Sequence, residues 1–71
     1  MDDKQRRELA RELASLADKA VAMAGYEPGS AQGDALDGAT YDMWRAFARG
    51  NYAAASKSAL EILGNLGLTV G

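Results

Sequence analysis

The sequence predicts an all-α protein: a three-helix unit in which one long N-terminal helix packs on an αα-hairpin. Three observations predict this fold. Apolar residues recur every three or four positions along most of the chain, which is the helical period. Glycine-containing breaks divide the pattern into three segments. β-branched residues, which a sheet would need, are few; they are Val21, Thr40, Ile62, Thr69 and Val70.

The first helix is predicted at about residues 3–24. Asp2 or Asp3 can cap its start, and Gly25 stands where a helix commonly ends. Two adjacent apolar stripes run along it: Leu9, Leu13, Leu16, Ala20 and Met23, and beside them Ala10, Ala14, Ala17, Val21 and Ala24. Together they form an arc that is wider than one neighbouring helix requires.

A loop is predicted at residues 25–34, because Glu27-Pro28-Gly29-Ser30 is typical of a turn. The second helix follows at about 35–49. Asp34 is the expected N-cap, although Gly38 weakens the first turn and leaves a start near Ala39 open. The apolar stripes of this segment are Leu36, Thr40, Met43 and Phe47, and beside them Tyr41, Trp44 and Ala48.

The third helix is predicted at about 51–63, with Asn51 as its cap. The tight turn Arg49-Gly50-Asn51 makes the second and third helices a hairpin. An apolar tail follows at 64–71. Its residues Leu66, Leu68 and Val70 are expected to pack on the body or on a partner chain.

The hairpin junction resembles the middle of a tetratricopeptide repeat, where Gly-Asp/Asn-Tyr-x-x-Ala joins two helices. The matching residues are Gly50, Asn51, Tyr52 and Ala55. The resemblance covers residues 46–63, and the later Ala-Leu-Glu run comes about one turn early. Since a repeat array needs about three units and only one fits, the resemblance implies a helical hairpin and no more.

Composition narrows the function classes. With 71 residues the chain is expected to be a single domain, 1–71. It contains no Cys and no His, so neither a metal site, nor a cofactor, nor nucleophilic catalysis is expected, and we predict that the protein is not an enzyme. Eight basic and ten acidic residues give a formal charge of -2, which argues against a general nucleic-acid-binding activity.

Size and the apolar arc predict a homodimer, since a chain this short buries a small fraction of its surface. The residues expected to mediate self-association are Leu9, Leu13, Leu16 and Ala17. The acidic N-terminus is unlike a signal peptide, and no apolar run approaches the ~20 residues of a membrane span. No membrane association and a cytoplasmic location are therefore expected.

Aromatic and arginine residues predict a surface for a partner protein. Tyr41, Trp44 and Phe47 lie on one side of the second helix, and Arg45 and Arg49 lie one turn apart on its flank. Trp, Tyr and Arg are enriched at interaction hot spots. The residues predicted to bind the partner are Tyr41, Trp44, Arg45 and Arg49. Trp44 is also a candidate for the core, and Phe47 is expected there.

The favoured function is a non-catalytic helical protein–protein interaction module that binds a partner and blocks or regulates it. Its small size is typical of phage or mobile-element inhibitors of bacterial machinery. The alternative is a small nucleic-acid-associated regulator that uses the basic face Lys4 to Arg11, or Arg45 and Arg49. Mimicry of nucleic acid by the carboxylates of Glu27, Asp34, Asp37 and Asp42 is a weaker option, because four charges are few.

Overall fold

Three helices pack together in the computed structural model, which describes residues 2–68. They are α1 (Asp3–Ala24), α2 (Ala31–Ala48) and α3 (Tyr52–Asn65). No strand occurs within residues 2–68, so the predicted all-α class with three packed helices is confirmed. In this part of the chain, no helix has both the length and the apolar character needed to cross a membrane.

The ends of α1 lie where the sequence predicts them. The Asp2 side chain accepts a hydrogen bond from the Gln5 N–H (2.8 Å), and the Gln5 side chain accepts one from the Asp2 N–H (3.2 Å). This reciprocal capping box satisfies two N–H groups that the helix itself leaves free. Gly25 ends the helix in the left-handed conformation.

The predicted start of α2 was wrong. The helix begins at Ala31, four residues before the predicted Ala35, so residues 31–34 are helical and the loop is shorter than expected. Its N-cap is Ser30, whose hydroxyl accepts the Gly33 N–H (3.0 Å). Asp34, the predicted cap, lies in the first turn of the helix. There its carboxylate interacts favourably with the positive end of the helix dipole.

Helices α2 and α3 both end in a Schellman motif. After α2, the Gly50 N–H donates to the Phe47 carbonyl (3.0 Å) and the Asn51 N–H donates to the Ala46 carbonyl (2.9 Å). Gly50 has φ 79°, a value that other residues rarely adopt. Arg49, Gly50 and Asn51 form the whole connection to α3, and the Asn51 side chain caps α3 as predicted.

The C-terminal tail begins later than predicted. Helix α3 continues through Gly64 to Asn65, so only residues 66–68 of the predicted tail are described and non-helical. Leu66 packs partly buried against the core, whereas Leu68 is exposed. The predicted packing of Val70 lies outside the described residues.

The core is built where α3 packs against both other helices. Its largest fully buried side chains are Met43 of α2 and Ile62 and Leu63 of α3. Helix α1 contributes only alanines to the fully buried set: Ala10, Ala14 and Ala17. Alanines at 55 and 59 lie fully buried on α3. Small side chains on both helices let their backbones approach closely. We call this contact between the buried alanines of α1 and those of α3 the alanine seam.

Candidate protein-interaction surfaces

Every charged side chain within residues 2–68 is exposed. The carboxylates that the sequence places near one another are exposed; they are Glu8 and Glu12 on α1, and Asp34, Asp37 and Asp42 on α2. Within residues 2–68, no group of three His, Cys, Asp or Glu side chains could hold a metal ion. In the same range no polar or charged residue is buried. The candidate functional features are therefore exposed surfaces.

Helix α1 fully buries three of its alanines, whereas its leucines and Met23 are all at least partly exposed. Leu9 is 42% exposed and Leu16 is 47% exposed, while Leu13 between them is partly buried against the core. Met23, at the end of the same stripe, is 86% exposed. The stripe that contains Leu9, Leu13 and Leu16, which we call the leucine stripe, thus contributes less to the interior than the neighbouring alanine stripe does.

A shallow groove shows which part of α3 borders this stripe. Arg6 and Leu9 line it from α1, and Tyr52, Ala53 and Ser56 line it from α3. The N-terminal turns of the two helices therefore lie side by side. Farther along, Ala14 and Ala17 of α1 share one core cluster with Ala59 and Leu63 of α3, so the helices run parallel. Seven residues, or two turns, farther along lie Leu16 and Leu60.

Leu16 and Leu60 therefore lie at about the same level along the bundle. Leu60 is 47% exposed, like Leu16. We call the surface formed by Leu9, Leu13, Leu16 and Leu60 the leucine face. Leu60 was not predicted as a site residue, although its seven-residue spacing from Ala53 matches the spacing between Leu9 and Leu16.

Charged residues line the side of the leucine face that is farther from α3. Glu12 and Lys19 are both exposed on α1, and they share this part of the helix surface with Glu8, Arg11, Ser15 and Leu16. Glu12 lies four residues before Leu16, and Lys19 lies three residues after it. An acidic and a basic residue thus flank the centre of the leucine stripe, one towards each end of the helix.

The residues predicted for self-association divide into two groups. Leu9, Leu13 and Leu16 belong to the leucine face. Ala17 does not: it is fully buried in the chain's own core, and its burial leaves no surface for a second chain. The inclusion of Ala17 was therefore wrong, because the alanine stripe and not the leucine stripe faces α3.

The residues predicted for partner binding lie on α2, and three of the four are exposed. Tyr41 is 66% exposed, and Arg45 and Arg49 follow it at intervals of four residues. Trp44 is partly buried against the core. Its ring meets Phe47 edge-to-face at 5.7 Å between centroids, so Trp44 supports the surface more than it forms it.

Gly38, one turn before Tyr41, has no neighbour that requires a glycine. A Cβ placed there would meet nothing within 4 Å, and the residue is exposed in mid-helix. Glycine in such a position destabilises a helix by about 0.5–1 kcal/mol relative to alanine. We call the surface of Gly38, Tyr41, Arg45 and Arg49 the α2 face.

The basic residues near the start of α1 are exposed among acidic ones. Lys4, Arg6, Arg7 and Arg11 form this set. Arg6 lies 3.9 Å from Asp3, and both side chains are largely exposed. Carboxylates of Glu8 and Glu12 share the same helix, which reduces the positive field that phosphate binding requires.

The chain matches no protein-family model, no curated protein and no solved structure in the three comparisons made.

Proposed function

We propose that this chain is a non-catalytic helical module that binds a partner protein, blocks or regulates it, and associates with a second copy of itself. The observation that carries the proposal is the distribution of apolar side chains. The interior is filled by alanines and a few large residues, whereas Leu9, Leu16 and Leu60 each remain nearly half exposed. Apolar surface grouped in this way is typical of contact sites between proteins.

The α2 face supports binding to a different protein. Tyr41 points away from the core because it lies two residues, or about 200° around the helix, from fully buried Met43. Arg45 and Arg49 add exposed guanidinium groups on the same side. Tyrosine and arginine are common hot-spot residues, and arginine pairs well with carboxylates. We propose that the partner presents acidic side chains to this face.

Affinity capture from a bacterial lysate tests the partner proposal. The bait is the tagged chain, and the variant is the double charge reversal Arg45→Glu with Arg49→Glu. Lys57→Glu, an exposed reversal on α3, is the matched control. We expect a captured protein that the double variant loses and the control retains, with circular dichroism showing equal helicity. Capture of nothing beyond a tag-only bait would refute partner binding, and equal capture by all baits would refute the α2 face.

The same chain should also be titrated with mixed-sequence DNA at low salt. We expect no binding, since carboxylates accompany the basic residues at the start of α1 and the chain's formal charge is -2. Binding that weakens steeply with added salt would support the alternative function, a regulator associated with nucleic acid.

A further inference from the structure

We infer that the leucine face is covered by a second copy of this chain, with the two α1 helices antiparallel and the twofold axis passing between Ser15 and Leu16. This inference rests on the self-association proposed above and specifies its geometry. It depends on the leucine face and its charged border, and not on the α2 face.

Charge complementarity identifies the occupant as another copy. In an antiparallel pair of identical helices, residues equally distant from the axis meet. Glu12 lies three and a half residues before the midpoint between Ser15 and Leu16, and Lys19 lies the same number after it. Glu12 of each copy therefore comes opposite Lys19 of the other, and the symmetric pair contains this contact twice.

The apolar residues fit the same axis. Leu16 lies next to the midpoint, so the two Leu16 side chains meet at the centre. Leu60 is at about the level of Leu16 on the parallel helix α3, so it joins that centre. Leu9 lies six and a half residues before the midpoint and Met23 lies seven and a half residues after it. Leu9 of one copy therefore comes within one residue of the level of Met23 of the other, and this contact would help to cover the most exposed apolar side chain described.

A parallel pairing lacks this complementarity. With the helices in the same direction and in register, Glu12 and Lys19 of opposite copies are separated by seven residues, or about 10 Å along the axis. The residues on the other side of the leucine stripe are Ala10 and Ala17, which are fully buried against the chain's own core. Neither border of a parallel pair would then contain an opposite-charge contact.

Charge exchange at positions 12 and 19 tests the orientation. The oligomeric state is measured by sedimentation equilibrium over micromolar to millimolar concentrations, where a dimer has twice the chain mass of 7.5 kDa. Glu12→Lys or Lys19→Glu alone converts two attractive pairs into two repulsive ones, and we expect about tenfold weaker dimerisation. The double variant, with both changes, restores both pairs and should dimerise as the original chain does.

Two control variants show whether a change in dimerisation comes from the proposed contacts or from another cause. Asp18→Lys reverses an exposed charge on α1 away from the leucine stripe and should leave dimerisation unchanged. Leu16→Lys places two ammonium groups at the axis and should yield a monomer with unaltered helicity. A monomeric original chain, at every concentration, would overturn the inference. Loss of the dimer in Leu16→Lys without any effect of the charge reversals would overturn the antiparallel orientation.

Both results are independent of the partner proposal. The charge variants leave Arg45 and Arg49 intact, so they should still capture a partner protein. Failure of dimerisation with successful capture would refute both the inference and the self-association on which it rests, and would leave the partner proposal standing. Dimerisation without capture would refute the partner proposal alone, and dimerisation without any response to the charge exchange would refute only the antiparallel geometry.

Discussion

Two glycines of α2 should respond in opposite ways to replacement by alanine. At Gly38 a new Cβ would meet no atom within 4 Å. Gly38→Ala should therefore stabilise the protein by about 0.5–1 kcal/mol, because alanine loses less backbone freedom on folding. For a domain of this size, 1 kcal/mol corresponds to about 4–8 °C in melting temperature.

At Gly33 a Cβ would lie 2.8 Å from the Ser30 hydroxyl oxygen and 2.9 Å from the Glu27 carbonyl oxygen. The hydroxyl caps α2, and the carbonyl accepts the Ser30 N–H (3.1 Å), so neither can move without loss. Losing the cap costs about 1 kcal/mol, and a weakened backbone hydrogen bond costs about 1 kcal/mol more. The helix propensity of alanine offsets about 1 kcal/mol of this. Gly33→Ala should therefore destabilise the protein by about 1 kcal/mol.

Urea and thermal unfolding, followed by circular dichroism at one protein concentration, measure both changes. The expected separation between the two variants is about 2 kcal/mol in the free energy of unfolding, the sum of the two opposite effects. If both variants are stabilised alike, the contacts described around Gly33 are wrong. If Gly38→Ala is destabilising, the open space at Gly38 is wrong.

Three further predictions concern stability and use the same unfolding assay. Ala17→Leu should destabilise by about 1–3 kcal/mol because the seam has no room for it, whereas the same change at exposed Ala22 should be nearly neutral; equal effects would contradict the close approach of α1 and α3. Met43→Ala should cost about 2–5 kcal/mol, since the side chain is fully buried, and a loss well below that range would place Met43 outside the core. Ser30→Ala should cost about 1 kcal/mol, and more than Asp34→Ala, which removes only an interaction with the helix dipole; the opposite order would return the cap to Asp34.

The helix ends were predictable where a local signal stood alone. Gly25 ends α1 and Asn51 caps α3 as predicted, and of the two caps predicted for α1, Asp2 and Asp3, the structure uses Asp2. The start of α2 was not, because Ser30 and Asp34 are both good caps and Gly33 between them has low helix propensity. What decides between the caps is the close approach of Gly33 to Ser30 and Glu27, and that contact exists only in the folded chain.

The positions of the interaction surfaces were predictable only in part. The sequence predicts two apolar stripes on α1, and leucine is the more hydrophobic choice for an interior. The structure buries the alanine stripe instead, since alanines on α3 allow the two helices to come close. The stripe that faces inwards is decided by the residues of α3, which packs on it. For this reason Ala17 was misassigned and Leu60 was missed. Tyr41 and Arg45 are exposed on α2 because the helical period alone separates them from Met43.

The alanine seam also affects how this protein can diverge in sequence. Because the fully buried side chains of α1 are all alanines, its exposed leucines, Leu9 and Leu16, contribute less to folding than leucines of a core helix do. Substitutions at Leu9 or Leu16 can therefore change what the surface recognises at a small cost in fold stability. Substitutions at the buried alanines destabilise the fold instead, since almost any larger side chain separates α1 from α3. Selection for a new binding specificity should accordingly accumulate changes in the leucine stripe and leave the alanine stripe intact.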